Sequence, residues 1–256
     1  MMWGWQIFPV VAAGAALLSV VGAVAAWCER RRVAALTTAV GVLLLAGFVL
    51  HLWLLLERPP LRTMGETRLW YSLFLLAAGL FTYLRWRYRW ILSFSALLGT
   101  VFLTLNVLKP EIHDQTLMPA LQSPWFVPHV SVYMFAYALL GCATLMALYG
   151  LMRPKSNPDE AIRPLLSGGV ALFTIGMLTG ALWAKEAWGA YWSWDAKEAW
   201  AAATWALYLL LLHLPPRRRR LGYWGMILAF LLLQMCWYGV NYLPTAQQSV
   251  HTYNRF

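Results

Sequence analysis

Apolar residues in this chain come in long unbroken runs, set apart by short polar and mostly basic segments. Eight runs stand out, at residues 5–27, 33–56, 69–84, 90–108, 130–152, 165–183, 199–214 and 221–243. A helix needs about 20 consecutive apolar residues to cross the hydrocarbon core of a bilayer. Runs of this length, apolar on every side, predict buried or lipid-facing helices rather than amphipathic ones. The third and seventh are short and borrow length from polar flanks. The expectation is an all-α, polytopic integral membrane helical bundle of about eight transmembrane helices, forming a single domain over residues 1–256.

Composition agrees. Hydrophobic residues make up 61% of the chain, charged residues 12%, and the mean hydropathy is +0.58. A soluble domain carries about 25% charged residues, so a very apolar soluble bundle is a poor alternative. The first ten residues lack the basic segment of a cleavable signal, and the first apolar run is long enough to span.

Charge then orients the spans. The connections between runs 1 and 2, 3 and 4, 5 and 6, and 7 and 8 hold thirteen of the 20 basic residues, and the other connections and the termini hold seven. Basic loops stay on the cytoplasmic side, so both termini are expected to face outward. The formal net charge of +10 is therefore a topology signal, and it gives no support to nucleic-acid binding.

Three cysteines, Cys28, Cys142 and Cys236, stand alone in sequence. No CxxC thiol pair or zinc site is encoded, and no CxxCH for covalent haem. Phosphate-binding loops, HExxH and serine-nucleophile motifs are also missing.

The chemistry concentrates in residues 183–200, WAKEAWGAYWSWDAKEAW, which hold five of the 16 tryptophans. Tryptophan usually marks a membrane boundary singly. A dense cluster mixed with Lys185, Glu186, Asp195, Lys197 and Glu198 suits a platform for a large flat apolar object beside charge. The expected orientation puts this stretch, read as the loop between spans 6 and 7, on the outer face. The same face receives the 109–128 loop with His113, then His129 at the start of span 5, and the C-terminal tail with His251. Imidazole is an ordinary axial ligand for haem iron, indoles offer broad contact to a porphyrin, and Lys185, Lys197 or Arg255 could neutralise propionates. His113 fits a solvated or interfacial role. His213, toward the cytoplasmic end of span 7, and His51 in span 2 fit either a polar interhelical contact or a functional role, since ionisable groups in a bilayer are costly.

These residues resemble the CcsA (ResC) family of cytochrome c biogenesis proteins, of the system II haem-attachment pathway. Its WWD signature, close to W-G-x-Y-W-x-W-D-x-K-E-x-W, is met here by Trp188, Gly189, Tyr191, Trp192, Trp194, Asp195, Lys197, Glu198 and Trp200. The segment Leu121-Gln-Ser-Pro-Trp-Phe-Val-Pro-His129-Val is similar to the family's L-Q-S-x-W-x-x-x-H-V. Gly239-Val-Asn-Tyr-Leu with Ser249-Val-His251-Thr-Tyr is similar to its C-terminal pattern. His213 falls thirteen residues after Trp200, where the family has an intramembrane histidine. Two departures are plain. Ala196 follows Asp195 where relatives often have proline, and Arg58 stands where many have a histidine, although Glu66 is retained. That histidine's role is not passed to His51.

The resemblance, strongest over residues 120–256, implies that His129 and His251 are the external ligands of haem iron and His213 an intramembrane ligand. It implies a platform of Trp188, Tyr191, Trp192, Trp194, Asp195 and Trp200, with Asp195 a candidate either for setting loop geometry or for positioning the incoming peptide. The implied cargo is haem b. The implied partners are a CcsB (ResB)-type membrane protein and an apocytochrome c carrying CxxCH, and the implied location is a bacterial cytoplasmic membrane with the attachment site outside. No residue is an evident acid or base, so the chain is expected to act within a haem-lyase complex rather than as an enzyme by itself. The same signature occurs in CcmC-type proteins, which load haem onto a chaperone, and that is the alternative. A transporter or structural protein without haem is a third reading, and it leaves the charge-laced signature unexplained.

Overall fold

The structure is a computed structural model and describes residues 4–113, 123–237 and 239–244. Within them lie eight α-helices: α1 (Phe8–Trp27), α2 (Arg31–Leu56), α3 (Met64–Trp86), α4 (Arg89–Leu108), α5 (Phe126–Met152), α6 (Asp159–Trp188), α7 (Ala196–Leu212) and α8 (Arg219–Trp237). Each coincides with one of the eight apolar runs.

Six of them (α1, α2, α4, α5, α6 and α8) are long and apolar enough to cross a membrane. The other two depart for visible reasons. α7 has 17 residues, about 26 Å at 1.5 Å per residue, and α3 carries Glu66, Arg68 and Arg85 near its ends. Large apolar side chains such as Val10, Leu43, Leu54, Leu178 and Leu210 point outward. A hydrocarbon surround accepts such an outer surface and water does not. These features are those of an integral membrane protein.

Three sequence expectations need correction. α8 ends at Trp237 instead of continuing to 243, and a short 3-10 turn follows at Gly239–Tyr242. α5 starts four residues earlier than expected, because Pro128 sits in its first turn, where a missing N–H costs nothing. Most of the tryptophan stretch is helix, not loop. α6 runs on to Trp188 and α7 resumes at Ala196, so the true connection is residues 189–195.

The chain forms two compact units. In the first, residues 1–121, α1 packs on α2 and α4, and α3 packs on α4 and α2. With lipid outside, burial of apolar area contributes little to helix association and close packing decides it. Gly22 of α1 illustrates this, since a Cβ there would run into the Thr38 hydroxyl of α2. Trp5, Phe8 and Phe48 interlock at ring distances of 5.0–5.6 Å in the core of this unit. His113 joins them and is only 7% exposed. Its ring stacks on Trp5 at 3.8 Å and 9°, and its Nε2–H donates to Asn106 Oδ1 at 3.2 Å. The solvated or interfacial role expected for His113 is therefore corrected: its ring is packed in the core of this unit. His51 is exposed, its ring 6.1 Å from that of Phe48 on its own helix.

The α2–α3 connection explains Arg58. Its guanidinium makes a two-pronged ion pair with Glu66, Nη1 to Oε2 at 3.0 Å and Nη2 to Oε1 at 2.9 Å. Glu66 is fully buried, and its Oε2 also accepts the backbone N–H groups of Arg62 at 2.7 Å and Thr63 at 3.2 Å. Thr63 Oγ1 accepts from Glu66 N in return, which completes a capping box at the start of α3. Burial, together with the Arg58 charge nearby, lowers the pKa of Arg62 from its ordinary value.

In the second unit, residues 122–256, α5 packs on α6 and α8, and α7 packs on α8 and α6. Its buried centre includes Met134, Leu140, Phe173, Tyr208 and Leu233. Trp205 of α7 donates its indole N–H to Thr174 Oγ1 of α6 at 2.9 Å and ties the two signature helices together.

Candidate functional site

Two points of α5–α6 contact create the setting of His129. Ser123, just before α5, donates its hydroxyl to Glu186 Oε2 near the end of α6 at 2.6 Å, and its Oγ accepts from Trp125 N at 3.2 Å. One turn into α5, His129 Nδ1 lies 2.8 Å from the carbonyl of Gly176 in α6. A carbonyl only accepts, so Nδ1 carries the proton and the lone pair of the neutral ring sits on Nε2. That is the tautomer a metal-ligating histidine adopts when its other nitrogen is held by the protein.

Room for the ring comes from Gly180. A Cβ there would lie 2.6 Å from His129 Nδ1 and Cε1, and one at Gly176 would lie 2.9 Å from the Tyr133 ring. The two glycines are four residues apart on α6, on one face. This G-x-x-x-G spacing was readable in the sequence as a close-approach motif, and the sequence reading passed over it.

Aromatic side chains wall the histidine. Trp183 lies 5.3 Å from its ring, tilted by 30°, and Tyr133 lies 4.8 Å away, edge-on. Trp183 in turn holds Phe126 at 5.3 Å and Trp188 at 4.8 Å. Trp183 is therefore the link from His129 to the signature, a role sequence reasoning missed. It precedes the nine signature positions, but it lies in the same dense run of tryptophans, which was the available signal.

The short connection 189–195 shapes the rest. Gly189 ends α6 at φ 83°, a left-handed conformation that suits glycine. Lys185 Nζ donates to the Gly189 carbonyl at 2.8 Å and stands 5.4 Å over the Tyr191 ring. Trp194 also adopts positive φ, 57°, and is 71% exposed, with its ring edge-on to Trp192 at 5.6 Å. Trp192 Nε1 is buried and has no hydrogen-bond partner among the described residues. The loop therefore presents one exposed indole and one unused indole donor, although a buried indole N–H normally finds a partner.

Asp195 caps α7. Its carboxylate accepts from Glu198 N at 2.9 Å, while Glu198 Oε2 accepts from Asp195 N at 3.2 Å and Ser193 N at 2.7 Å. This is a capping box, and these hydrogen bonds fit the loop-geometry role. Asp195→Ala is expected to destabilise the start of α7 by about 1 kcal/mol, whereas Asp195→Asn, an equally good acceptor, stays near the parent. Amide hydrogen exchange over residues 193–200 checks this, and equal loss of protection in the two variants would contradict it. Trp200 follows in the second turn, half-buried.

His213 is the C-cap of α7, about 26 Å along that helix from Asp195. It is exposed, and its Nδ1 lies 2.8 Å from the Leu209 carbonyl, so here too the lone pair is on Nε2. Its chain neighbours Leu212 and Leu214, but not His213 itself, line a groove that also includes Leu166, Leu211 and Met226 with Asp159, Arg163, Arg218 and Arg219. His129 and His213 thus belong to opposite ends of the unit. His251 lies outside the described residues. Among the described residues, no three His, Cys, Asp or Glu side chains come together as they would around a bare metal ion.

Residues 61–246 match the model of the cytochrome c assembly protein family. The chain is 32% identical over 206 residues to the cytochrome c biogenesis protein CcsA of Adiantum capillus-veneris, a stretch covering 60% of this chain and 65% of that protein. It is 35% identical to CcsA of Chlamydomonas reinhardtii over 63% of this chain and 49% of the relative. To CcsA of Pelargonium hortorum it is 30% identical over 83% of each. The chain thus spans about half to two thirds of the length of the first two relatives and most of the third. On these matches and this fold, the chain belongs to the cytochrome c assembly protein family, among the CcsA-type cytochrome c biogenesis proteins.

Proposed function

We propose that this chain presents haem b at the outer boundary of a membrane and, with a CcsB (ResB)-type partner, attaches it to apocytochrome c. In this reading all eight helices span, both termini face outward, and the membrane is a bacterial cytoplasmic membrane. His129 and His251 hold the iron outside, and His213 receives it at the other end of α7. The observation that carries the reading is the His129 ring, with Nδ1 fixed by the Gly176 carbonyl and Nε2 bearing the lone pair between Trp183 and Tyr133.

The remaining roles follow from the same geometry. Trp188, Tyr191, Trp192, Trp194 and Trp200 supply flat apolar contact, and Asp195 and Glu198 hold the loop that carries them. At the opposite end, the groove lined by Leu212 and Leu214 holds Arg163, Arg218 and Arg219 against the one carboxylate of Asp159, a positive balance that suits an apolar ring bearing two carboxylates. Haem is the cargo, not a resident cofactor. Attachment adds each CxxCH thiol across a vinyl group: sulfur bonds to the inner carbon, the thiol hydrogen goes to the outer carbon, and no electron is gained or lost. Such an addition gains chiefly from held proximity.

The test is reconstitution. Purified chain and CcsB-type partner are supplied with haem, reductant and an apocytochrome bearing CxxCH, and the product is read by mass and by the pyridine haemochrome spectrum. Haem is expected to become covalent on the apocytochrome. Haem passed intact to a chaperone, with no thioether formed, would instead make this a CcmC-like loader.

A further inference from the structure

The first unit carries a second built feature, remote in sequence from the signature. A cavity of about 340 Å³ opens where α1 and α3 end and α2 and α4 begin, lined by Glu29, Arg31, Arg87 and Arg89 over a floor of Ala26 and Tyr83. Three arginines and one glutamate thus line it. Arg89 Nη2 pairs with Glu29 Oε1 at 2.7 Å, which neutralises that pair. Arg31 and Arg87 have no side-chain partner among the described residues. The cavity is left with two uncompensated positive charges.

Glu29 and Arg87 both sit at positive φ, 61° and 64°, in a conformation that costs a residue with a Cβ about 1 kcal/mol and that glycine adopts freely. Each of the two connections thus bends through a charged residue, and each of those residues lines the cavity. Both lie at a helix C-terminus, where the left-handed conformation is a common way to end a helix.

The surroundings identify its chemistry. Beside the arginines, Val24, Trp27, Val33 and Leu84 are 57%, 58%, 41% and 44% exposed, an outward apolar band. Trp27 donates its indole N–H to Ser93 Oγ at 2.9 Å, the wet-edged pose of a tryptophan at headgroup depth. Phosphate above and acyl chain below is the pattern of an anionic phospholipid, and basic pockets between transmembrane helices bind such headgroups. We propose that Arg31 and Arg87 form a phosphate site for an anionic phospholipid, with Arg89 held beside them by Glu29. This site is independent of haem and stands whether or not the haem reading does.

The experiment is native mass spectrometry on the full chain, delipidated in detergent and titrated with phosphatidylglycerol or phosphatidylcholine. Adducts with phosphatidylglycerol are expected to exceed those with phosphatidylcholine. Arg31→Gln/Arg87→Gln should lower that preference roughly 25-fold, since each basic residue near an anionic surface contributes about a factor of five. Arg31→Lys/Arg87→Lys keeps the charge and should keep most of the preference. Arg153→Gln/Lys155→Gln, equal in charge loss but in the other unit and outside either groove, should leave it intact. Undiminished preference in the Arg31/Arg87 glutamine variant, or equal loss in the Arg153/Lys155 control, overturns the assignment. Displacement of the lipid by inorganic phosphate alone overturns it too, because the site would then belong to a soluble phosphate.

Discussion

Under the proposed ligation of haem iron by His129 and His251, the loaded protein has a low-spin, two-histidine visible spectrum that His129→Ala is expected to abolish and added imidazole to restore. The alanine variant leaves a ring-shaped space beside Trp183, Tyr133 and the Gly176 carbonyl, which free imidazole can refill with the same hydrogen bond. Gly180→Ala provides the stricter comparison. It leaves the histidine in place but puts a Cβ where the ring now lies, at 2.6 Å from Nδ1 and Cε1. The ring has to turn and its bond to Gly176 lengthens, and disturbing a ligand's outer partner typically costs 10–100-fold in affinity. Imidazole should not repair this variant, because the space it would need is taken by the displaced ring. A spectrum unchanged in His129→Ala would remove the external ligand. A spectrum unchanged in Gly180→Ala alone would show that the Gly176 carbonyl does not orient it.

The elements that local pattern controls were legible in the chain, and the errors show where local pattern stops. Every apolar run became a helix, because lipid-facing helices need only length and apolarity and carry their backbone hydrogen bonds internally. Boundaries failed where polar residues extend a helix beyond its apolar part. Lys185 and Glu186 were taken as the start of a loop, yet both are sound helix formers, and only Gly189 ends α6. The Asp195-x-x-Glu198 spacing is a helix-start signal, but amid so many tryptophans it read as chemistry. The site was legible in its residue types but not in its supports. Gly176, Gly180 and Trp183 matter because α5 and α6 cross where they do, and no run of sequence states a crossing point. Arg58 and Glu66 lie eight residues apart with two prolines between them, a separation with no helical or strand periodicity to bring them together.

That pair has the largest expected effect on stability. Glu66 is fully buried, and its two oxygens satisfy both prongs of Arg58 and two backbone N–H groups of the α2–α3 connection. Glu66→Ala removes all four acceptor contacts at once. It leaves the Arg58 guanidinium, whose side chain is 15% exposed, without a counter-charge, and it strips α3 of one arm of its capping box. Removing one member of a buried ion pair costs about 3–5 kcal/mol, which for a chain of this size corresponds to a fall in melting temperature of roughly 10 °C. Arg58→Ala leaves the opposite charge stranded and should fall by a similar amount. The double variant should fall by clearly less than the sum of the two, because it strands neither charge, and the lost capping bonds set what remains. Thermal melting of the purified protein, followed by size-exclusion chromatography after heating, measures all three. Single variants melting within a degree or two of the parent would show that water or lipid headgroups already compensate these charges. Additive losses would show that the carboxylate serves Arg62 and Thr63 rather than Arg58, and would make the arginine in the histidine's place a neighbour of the pair instead of half of it.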